Sequence, residues 1–508
     1  MLETIQKLIE FSPESVQKKT KILCTVGPAC NNESTLREMI ANGMNAARIN
    51  TSHGDFDQYR AMINTIRGIG PMPIIMDTQG PKIRLRMAMD QRVSQDESIW
   101  VGFTPHDPFF LDAPVYDQIE VGDRALIDDG AFEAYVAEKN DGHIRFCFKN
   151  GGFLVSGRAV NFPKKELPLE PLTEKDIQSL AFAQEMGVDF IALSFTRGKL
   201  DIHACRQYLE GSNVKIIAKI ENQQGVDNID EIIAETDGVM VARGDMGVEL
   251  DPEEIPMIQK MLIRLCNEKG KLVITATQML QSMVKSPRPT RAEISDVANA
   301  ILDGSDVVML SGETATGEYP TLAVEMMSRI AKHSEQFIEP PEYIPPSEEA
   351  EQAICDSIRT ISERAGVDKI VSVTRRGYTA KMISRLRLKP IIYALTSNPE
   401  TFRELHMYYA VVPVWYPKLD YSIRTITAGM YLFQNGFISE DELVLYASAE
   451  YRPRDRRTNT IQLLRMSDLS DYYEKFELKR NEENSSDTEG AAENPAAPNP
   501  APTPPSAV

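Results

Sequence analysis

Five short apolar runs fall between residues 189 and 312: DFIALSF from Asp189, KIIAKIE from Lys215, GVMVARG from Gly238, KLVITAT from Lys271 and DVVMLSG from Asp306. An amphipathic helical segment separates each run from the next, which is the pattern of parallel βα units. Upstream, KILCTVG from Lys21, NAARINTS from Asn45 and MPIIMDT from Met72 repeat the pattern and bring the number of runs to eight. Runs this continuously apolar predict strands buried on both faces, and eight of them covered by helices predict a closed parallel (β/α)8 barrel, a TIM barrel, within an α/β protein. Two of the helices, STLREMIANG and PMIQKMLIRLCNEKG, end on Gly43 and Gly270, where a C-cap glycine belongs.

The rhythm breaks once. Between the third and fourth runs, residues 85–167 show period-2 alternation and the turns DDG, NDG and NGG, which predict an inserted β-barrel lid domain. An insertion after a barrel strand lands on the face that carries chemistry, where it can close over a substrate and exclude water. The expected organisation is an extension over 1–20, a barrel over 21–84 and 168–338, a lid over 85–167, an open α/β domain over 350–470 and a disordered tail over 481–508. The linker IEPPEYIPPSEE after Phe337 separates barrel from C-terminal domain. The tail lacks aromatic residues and is rich in Pro, Ala and acid, so it has little apolar area to bury.

A net charge of -19 over 508 residues disfavours a nucleic-acid partner, since a polyanion is repelled by the overall field. The six cysteines are scattered, with no CxxC pair, which predicts reduced thiols and no zinc site. No run is long and apolar enough for a membrane span, and the first residues do not read as a signal peptide, so a cytoplasmic location is expected.

Barrel enzymes carry their reactive groups at the C-terminal ends of the strands. Those ends hold Arg48, Asn50 and Ser52, then Asp77 and Thr78, Ser194, Lys219 and Glu221, Arg243 and Asp245, Thr277, and Ser311 with Glu313. They are expected to converge. Glu221 and Asp245 follow neighbouring strands, and two carboxylates completed by substrate oxygens and water suit Mg2+ in a phosphoryl site. Lys219 is two residues before Glu221 and so projects to the same side, beside the metal, where an ammonium can stabilise a transferring phosphoryl group. Gly244 and Gly247 allow backbone N–H groups close to an anion.

The stretches TKILCTVGPAC, ARINTSHG, DTQGPKIR, IIAKIENQQG, MVARGDMGVEL, TATQMLQSM and PRPTRAEISDVANAILDGSDVVMLSGETATGEYP together resemble the pyruvate kinase family. The resemblance spans nearly the whole barrel in order, and it implies transfer of a phosphoryl group from phosphoenolpyruvate to ADP, giving pyruvate and ATP. It implies Mg2+ (or Mn2+) on Glu221 and Asp245, with Lys219 and Arg48 on the phosphoryl group, and Gly244 and Thr277 contacting the substrate. Asn50, His53, Arg84 and Lys175 resemble residues that hold nucleotide phosphates, and Thr277 with Ser311 resembles a proton relay to the enolate. A homotetramer is also implied. A lyase on the same barrel, or a non-catalytic sensor, are the rival classes; the first has no use for the nucleotide contacts, and the second predicts loss of the catalytic set.

Asn50, Ser52, Asp77 and Thr78 match a monovalent-cation site, yet Lys82 stands where potassium-activated members carry Glu. The expectation is activity without K+; the alternative is that Lys82 pairs with a lid carboxylate. In the C-terminal domain Thr374, Arg375, Arg376, Gly377 and Thr379 resemble a loop that holds an effector phosphate. Arg454 and Arg457, in EYRPRDRRTNT with Arg452 and Arg456, can clamp a phosphate or form a solvated turn or subunit contact. A sugar phosphate or AMP is the effector class expected.

Overall fold

The structure is a computed structural model, and it describes residues 18–341, 350–416, 424–448 and 458–469. The expected extension up to residue 17, the disordered tail and the arginines of EYRPRDRR lie outside the described residues. Among the described residues, no helix is long and apolar enough to cross a membrane.

Three strands, β1 (Lys21–Thr25), β2 (Ala46–Asn50) and β3 (Ile74–Asp77), precede the insertion. The inserted strands are β4 (Arg84–Met87), β5 (Gln91–Val93), β6 (Ser98–Val101), β7 (Phe109–Leu111), β8 (Arg124–Ile127), β9 (Phe132–Asn140), β10 (His143–Phe148), β11 (Gly152–Leu154) and β12 (Arg158–Asn161). Then follow β13 (Phe190–Leu193), β14 (Lys215–Ile220), β15 (Gly238–Ala242), β16 (Leu272–Ala276) and β17 (Val307–Leu310). The eight runs read in the sequence close one parallel barrel in the order β1-β17-β16-β15-β14-β13-β3-β2.

Burial explains why these runs read as they do. Every residue of β1, β13 and β15 is buried, because helices cover the outer face and neighbouring side chains fill the inner one. In the lid, β9 alternates over its first five residues, with Phe132, Ala134 and Val136 turned to the core and Tyr135 outward, as expected of a sheet with one solvated face. The lid sheet runs β6-β10-β9-β8-β12-β4-β7, and β5 pairs with β11 beside it; Phe146, Phe148 and Phe162 lie in its core. Some of the barrel helices start on side-chain caps, among them the reciprocal pairs Thr173 with Asp176 and Thr290 with Glu293. Gly270 ends the helix Ile255–Lys269 at φ 64°, a left-handed conformation that L side chains resist.

The C-terminal domain is a five-stranded sheet in the order β20-β19-β18-β21-β22, built from β18 (Lys369–Val373), β19 (Ile391–Thr396), β20 (Val411–Trp415), β21 (Leu443–Ser448) and β22 (Thr460–Arg465). Only β22 runs antiparallel to its neighbour. The domain docks at the start of the barrel strands: Arg403 Nε is 2.6 Å from Asp189 Oδ1, Arg387 Nη1 2.8 Å from Asp306 Oδ1, and Lys21 Nζ donates to the Val411 carbonyl at 2.7 Å. The lid sits at the opposite end.

Candidate active site

Parallel register sets which strand ends meet. Asn50 stands beside Asp77 across β2 and β3, and Ala192 beside Asp77 across β3 and β13. The chain leaves each of these strands at the same end, into a cleft of ≈ 560 Å³. Barrel residues Arg48, Asn50, Ser52, His53, Asp77, Thr78, Ser194, Lys219, Glu221 and Asp245 line it, joined by Lys82 and Arg84 at the way into the lid.

Its floor is a chain of charges. Arg48 grips Asp77 with two bonds, Nε to Oδ1 at 2.9 Å and Nη2 to Oδ2 at 2.7 Å, while its Nη1 donates to Thr25 Oγ1 at 3.0 Å. Lys219 Nζ lies 3.3 Å from the same Asp77 Oδ2 and 2.9 Å from Glu221 Oε1, and donates to Ser194 Oγ at 2.8 Å. Lys82 Nζ is 3.3 Å from Asp245 Oδ1 and 5.1 Å from the centre of the Phe195 ring. Arg48 and Lys219 are thus fixed in place and largely shielded from water, while Lys82 stays partly exposed at the edge.

Burial and charge pull the ionisations apart. Burial by itself would raise Asp77, but Arg48 and Lys219 hold its carboxyl below the usual range. Burial opposes the charge on Lys219, yet Glu221 and Asp77 push its ammonium above the ordinary lysine value. Asp245 is likewise held low against burial by Lys82 and Lys219. Glu221 goes the other way: burial, reinforced by the negative Asp245, lifts it to about 7 despite Lys219. Its Oε2 accepts from the Phe195 N–H at 2.6 Å, while Oε1 is buried beside Lys219 without a directed hydrogen bond.

Other anticipated residues lie outside this cleft. Thr277 caps the segment that carries Asp245, accepting from Gly244 N–H at 2.7 Å and donating to the Ala276 carbonyl at 2.6 Å. Its φ is 69°, a strained value for a β-branched residue. Arg243 turns under it instead of into the cleft, binding the Thr277 carbonyl at 2.7 Å and Asp296 at 2.6 Å. Glu313 is a buried structural acceptor for the N–H groups of Leu280 and Ser311, and the buried Ser311 hydroxyl has no bonded partner. Lys175 sits half-buried in the first turn of the helix Glu174–Met186 and is not among the residues that line the cleft, although its neighbour Asp176 accepts from the N–H of Gln79, which does line it. In the C-terminal loop Arg375 and Arg376 are exposed, Gly377 takes φ 79°, and the Thr374 and Thr379 hydroxyls bond to Gly377 N–H and Thr458.

Sequence reading missed the lid's contribution. Asp128, Asp129, Ser156 and Arg158 line the cleft from above. The signal was present in the DDG turn, where Asp128 and Asp129 both adopt left-handed φ values of 56° and 53° before Gly130. Read as punctuation between strands, it concealed two carboxylates facing the barrel. Phe195, at φ 53°, was equally silent, since its part is played by a backbone N–H.

A (β/α)8 barrel whose rim gathers fixed cations beside two carboxylates, under a β lid, defines a phosphotransferase-type enzyme. Residues 17–324 match the family described as pyruvate kinase, barrel domain, and residues 352–464 the one described as pyruvate kinase, alpha/beta domain. The chain is 43% identical over 419 residues to the pyruvate kinase of Bacillus licheniformis, covering 78% of this chain and 71% of that one. It is 38% identical over 480 residues to that of Geobacillus stearothermophilus, covering 89% and 81%. A solved pyruvate kinase from Cryptosporidium parvum superposes with TM-score 0.84 at 34% identity, covering 89% of this chain and 97% of the other. The chain belongs to the pyruvate kinase family.

Proposed function

We propose that this chain moves the phosphoryl group of phosphoenolpyruvate to ADP, forming pyruvate and ATP, with Mg2+ or Mn2+ held between Glu221 and Asp245. The observation that carries this reading is the Lys219 ammonium, held by Asp77, Glu221 and Ser194 at the floor of a lidded cleft. A divalent cation fits the residues present. Glu221 Oε1 is buried without a directed hydrogen bond, with Lys219 Nζ 2.9 Å away, and burial together with the neighbouring Asp245 still resists its ionisation, so a further cation between the two carboxylates would be stabilised. Two carboxylates would leave the cation's remaining positions to substrate oxygens and water. Bound there, the cation would supply Lewis-acid stabilisation of the substrate's carboxylate and enolic oxygens.

The protein's own groups account for the rest. Arg48, aimed by Asp77 and Thr25, and Lys219, aimed by Ser194, present two fixed positive groups to the phosphoryl oxygens. Because they are already oriented, little reorganisation is needed as charge develops. Asn50, His53 and Arg84, which line the same cleft, are assigned as donors for the nucleotide phosphates. Thr277, locked by Gly244 and Arg243, is the residue we assign to orient proton delivery to the enolate, and Ser311, whose buried hydroxyl is left without a hydrogen bond, is assigned to the same relay without a direct bond to Thr277.

Lys82 is assigned the part of a monovalent cation. Its ammonium already lies at Asp245, and three of the four expected ion ligands are engaged elsewhere: Asp77 with Arg48, Asn50 Oδ1 with Ser52 N–H, and Thr78 Oγ1 with Ser194 N–H. An effector phosphate at Arg375 and Arg376, and assembly as a homotetramer, complete the proposal; titration with sugar phosphates and AMP, and light scattering, address them.

The test is pyruvate formation from phosphoenolpyruvate and ADP with Mg2+ in potassium-free buffer, then with KCl at constant ionic strength. Equal turnover in both is expected, with loss of turnover on chelation by EDTA. A several-fold rise with KCl overturns the Lys82 assignment alone; no turnover in either buffer overturns the reaction.

A further inference from the structure

Both crossings between barrel and lid are tied to one short helix, Arg243–Glu249. The outgoing crossing, residues 81–83, reaches it through Lys82, 3.3 Å from Asp245. The returning crossing reaches it at the other end, where Asn161 Nδ2 donates to Glu249 Oε1 at 2.5 Å. A second tie just past the helix, Lys164 to Asp251 at 2.7 Å, is largely exposed and therefore weak. Asp245 and Glu249 are four residues apart, so they share a helix face and lie roughly 6 Å apart along the axis. Between the crossings is a cavity of ≈ 160 Å³, lined by Ile83, Asn161, Phe162, Phe195 and Glu249 among others. The crossings therefore have room to shift relative to the barrel, and Asn161 to Glu249 is the half-buried contact that fixes their register.

We infer that Glu249 is a positioning residue: through Asn161 it registers the seating of the lid against the helix that carries Asp245. Lid and carboxylate then move as one unit. When the lid settles, Asn161 draws on the end of the helix at Glu249 while Lys82 bears on Asp245 from the other side. The contact is a hydrogen bond from an amide, so it needs an acceptor oxygen at residue 249 and not its charge. The kinetic part of this inference rests on the phosphoryl-transfer reading; the mechanical part does not.

Four variants test it: Glu249→Ala, Glu249→Gln, Asn161→Ala and the double alanine. Steady-state turnover of phosphoenolpyruvate and ADP with Mg2+ is expected to fall roughly tenfold or more in either alanine variant, with KM for phosphoenolpyruvate little changed, because misplacing a catalytic group by a fraction of an ångström is costly. The double variant should be no worse than either single one, and Glu249→Gln should recover most of the wild-type rate. Hydrogen exchange of the same proteins is the readout that does not need catalysis. Glu249→Ala should speed exchange together in residues 81–87, 158–165 and 243–249, leaving β9 and β10 protected. Wild-type rates in Glu249→Ala, additive losses, or a glutamine variant as impaired as alanine overturn the inference. So does faster exchange confined to residue 249's own helix, or spread through the whole lid. An inactive wild type defeats the phosphoryl-transfer reading, and the exchange pattern still decides the latch.

Discussion

At the base of the barrel Asp306 and Asp189 are almost as deeply buried as Asp77 and Glu221 at the rim, and both ends use arginine or lysine as partners. The difference is in how the carboxylates are completed. Asp306 receives Arg387 and the Tyr409 N–H on one oxygen and the Val273 N–H on the other. Asp189 receives Arg403 on Oδ1, and Arg67 with the Ile74 N–H on Oδ2. Glu221, at the rim, has only the Lys219 ammonium beside one oxygen, without a directed hydrogen bond there, and burial lifts its ionisation to about 7. Saturated buried charges hold the C-terminal domain to the strand starts, whereas the unsaturated rim retains interaction strength for a ligand.

The largest effect expected from this contrast is at the rim. Lys219→Met should lower kcat by about 10³-fold, equivalent to ~4 kcal/mol of transition-state stabilisation, measured by steady-state assay. Its unfolding midpoint should shift less than that of the base variant described next; the reverse order would break the distinction. Arg387→Met leaves Asp306 buried without its cation and should cost about 3 kcal/mol in denaturant unfolding, with activity per folded molecule retained.

A smaller effect comes from acid. His406, buried within the C-terminal domain, has its proton affinity lowered by that burial from the ordinary 6.5 to about 4. The unfolded chain takes up this proton near pH 6.5 and the folded one only near 4, so the stability is complete above 6.5 and is lost as pH falls through that window. Between pH 7.5 and pH 5 the loss is ~2 kcal/mol. His406→Gln should remove that portion of the difference in unfolding free energy. Glu221, whose folded value is raised, acts in the opposite direction between 4.5 and about 7, so the informative quantity is the difference between the two proteins. The smallest effect is at the surface. Lys164→Ala breaks an exposed pair with Asp251 and should leave the unfolding midpoint unchanged; a clear shift would mean that the lid crossing depends on it.

Much of the architecture was legible because the barrel strands have to be apolar on both faces. KIIAKIE and DVVMLSG announce themselves without knowledge of their neighbours, and the polar groups that end them mark the rim. The lid was legible from alternation and turns such as NDG. Less visible were the directions in which rim side chains point. Arg243 and Asp245 are two residues apart on one strand end, yet Arg243 turns down to Asp296 and the Thr277 carbonyl while Asp245 faces Lys82 in the cleft. A short helix beginning at Arg243 replaces strand periodicity there, and alternation no longer predicts direction.

The sequence alone therefore determined the barrel, the place of the insertion and the family resemblance, because local periodicity and contiguous motifs survive without tertiary information. Only the folded molecule decided that Asp77 engages Arg48 and Lys219, that Asp128 and Asp129 come down from the lid, and that Asn161 meets Glu249. Those pairings join residues that lie far apart in the chain. They depend on barrel closure and lid register, which fix distances to a few tenths of an ångström and so decide which buried charges are satisfied and which are left for chemistry.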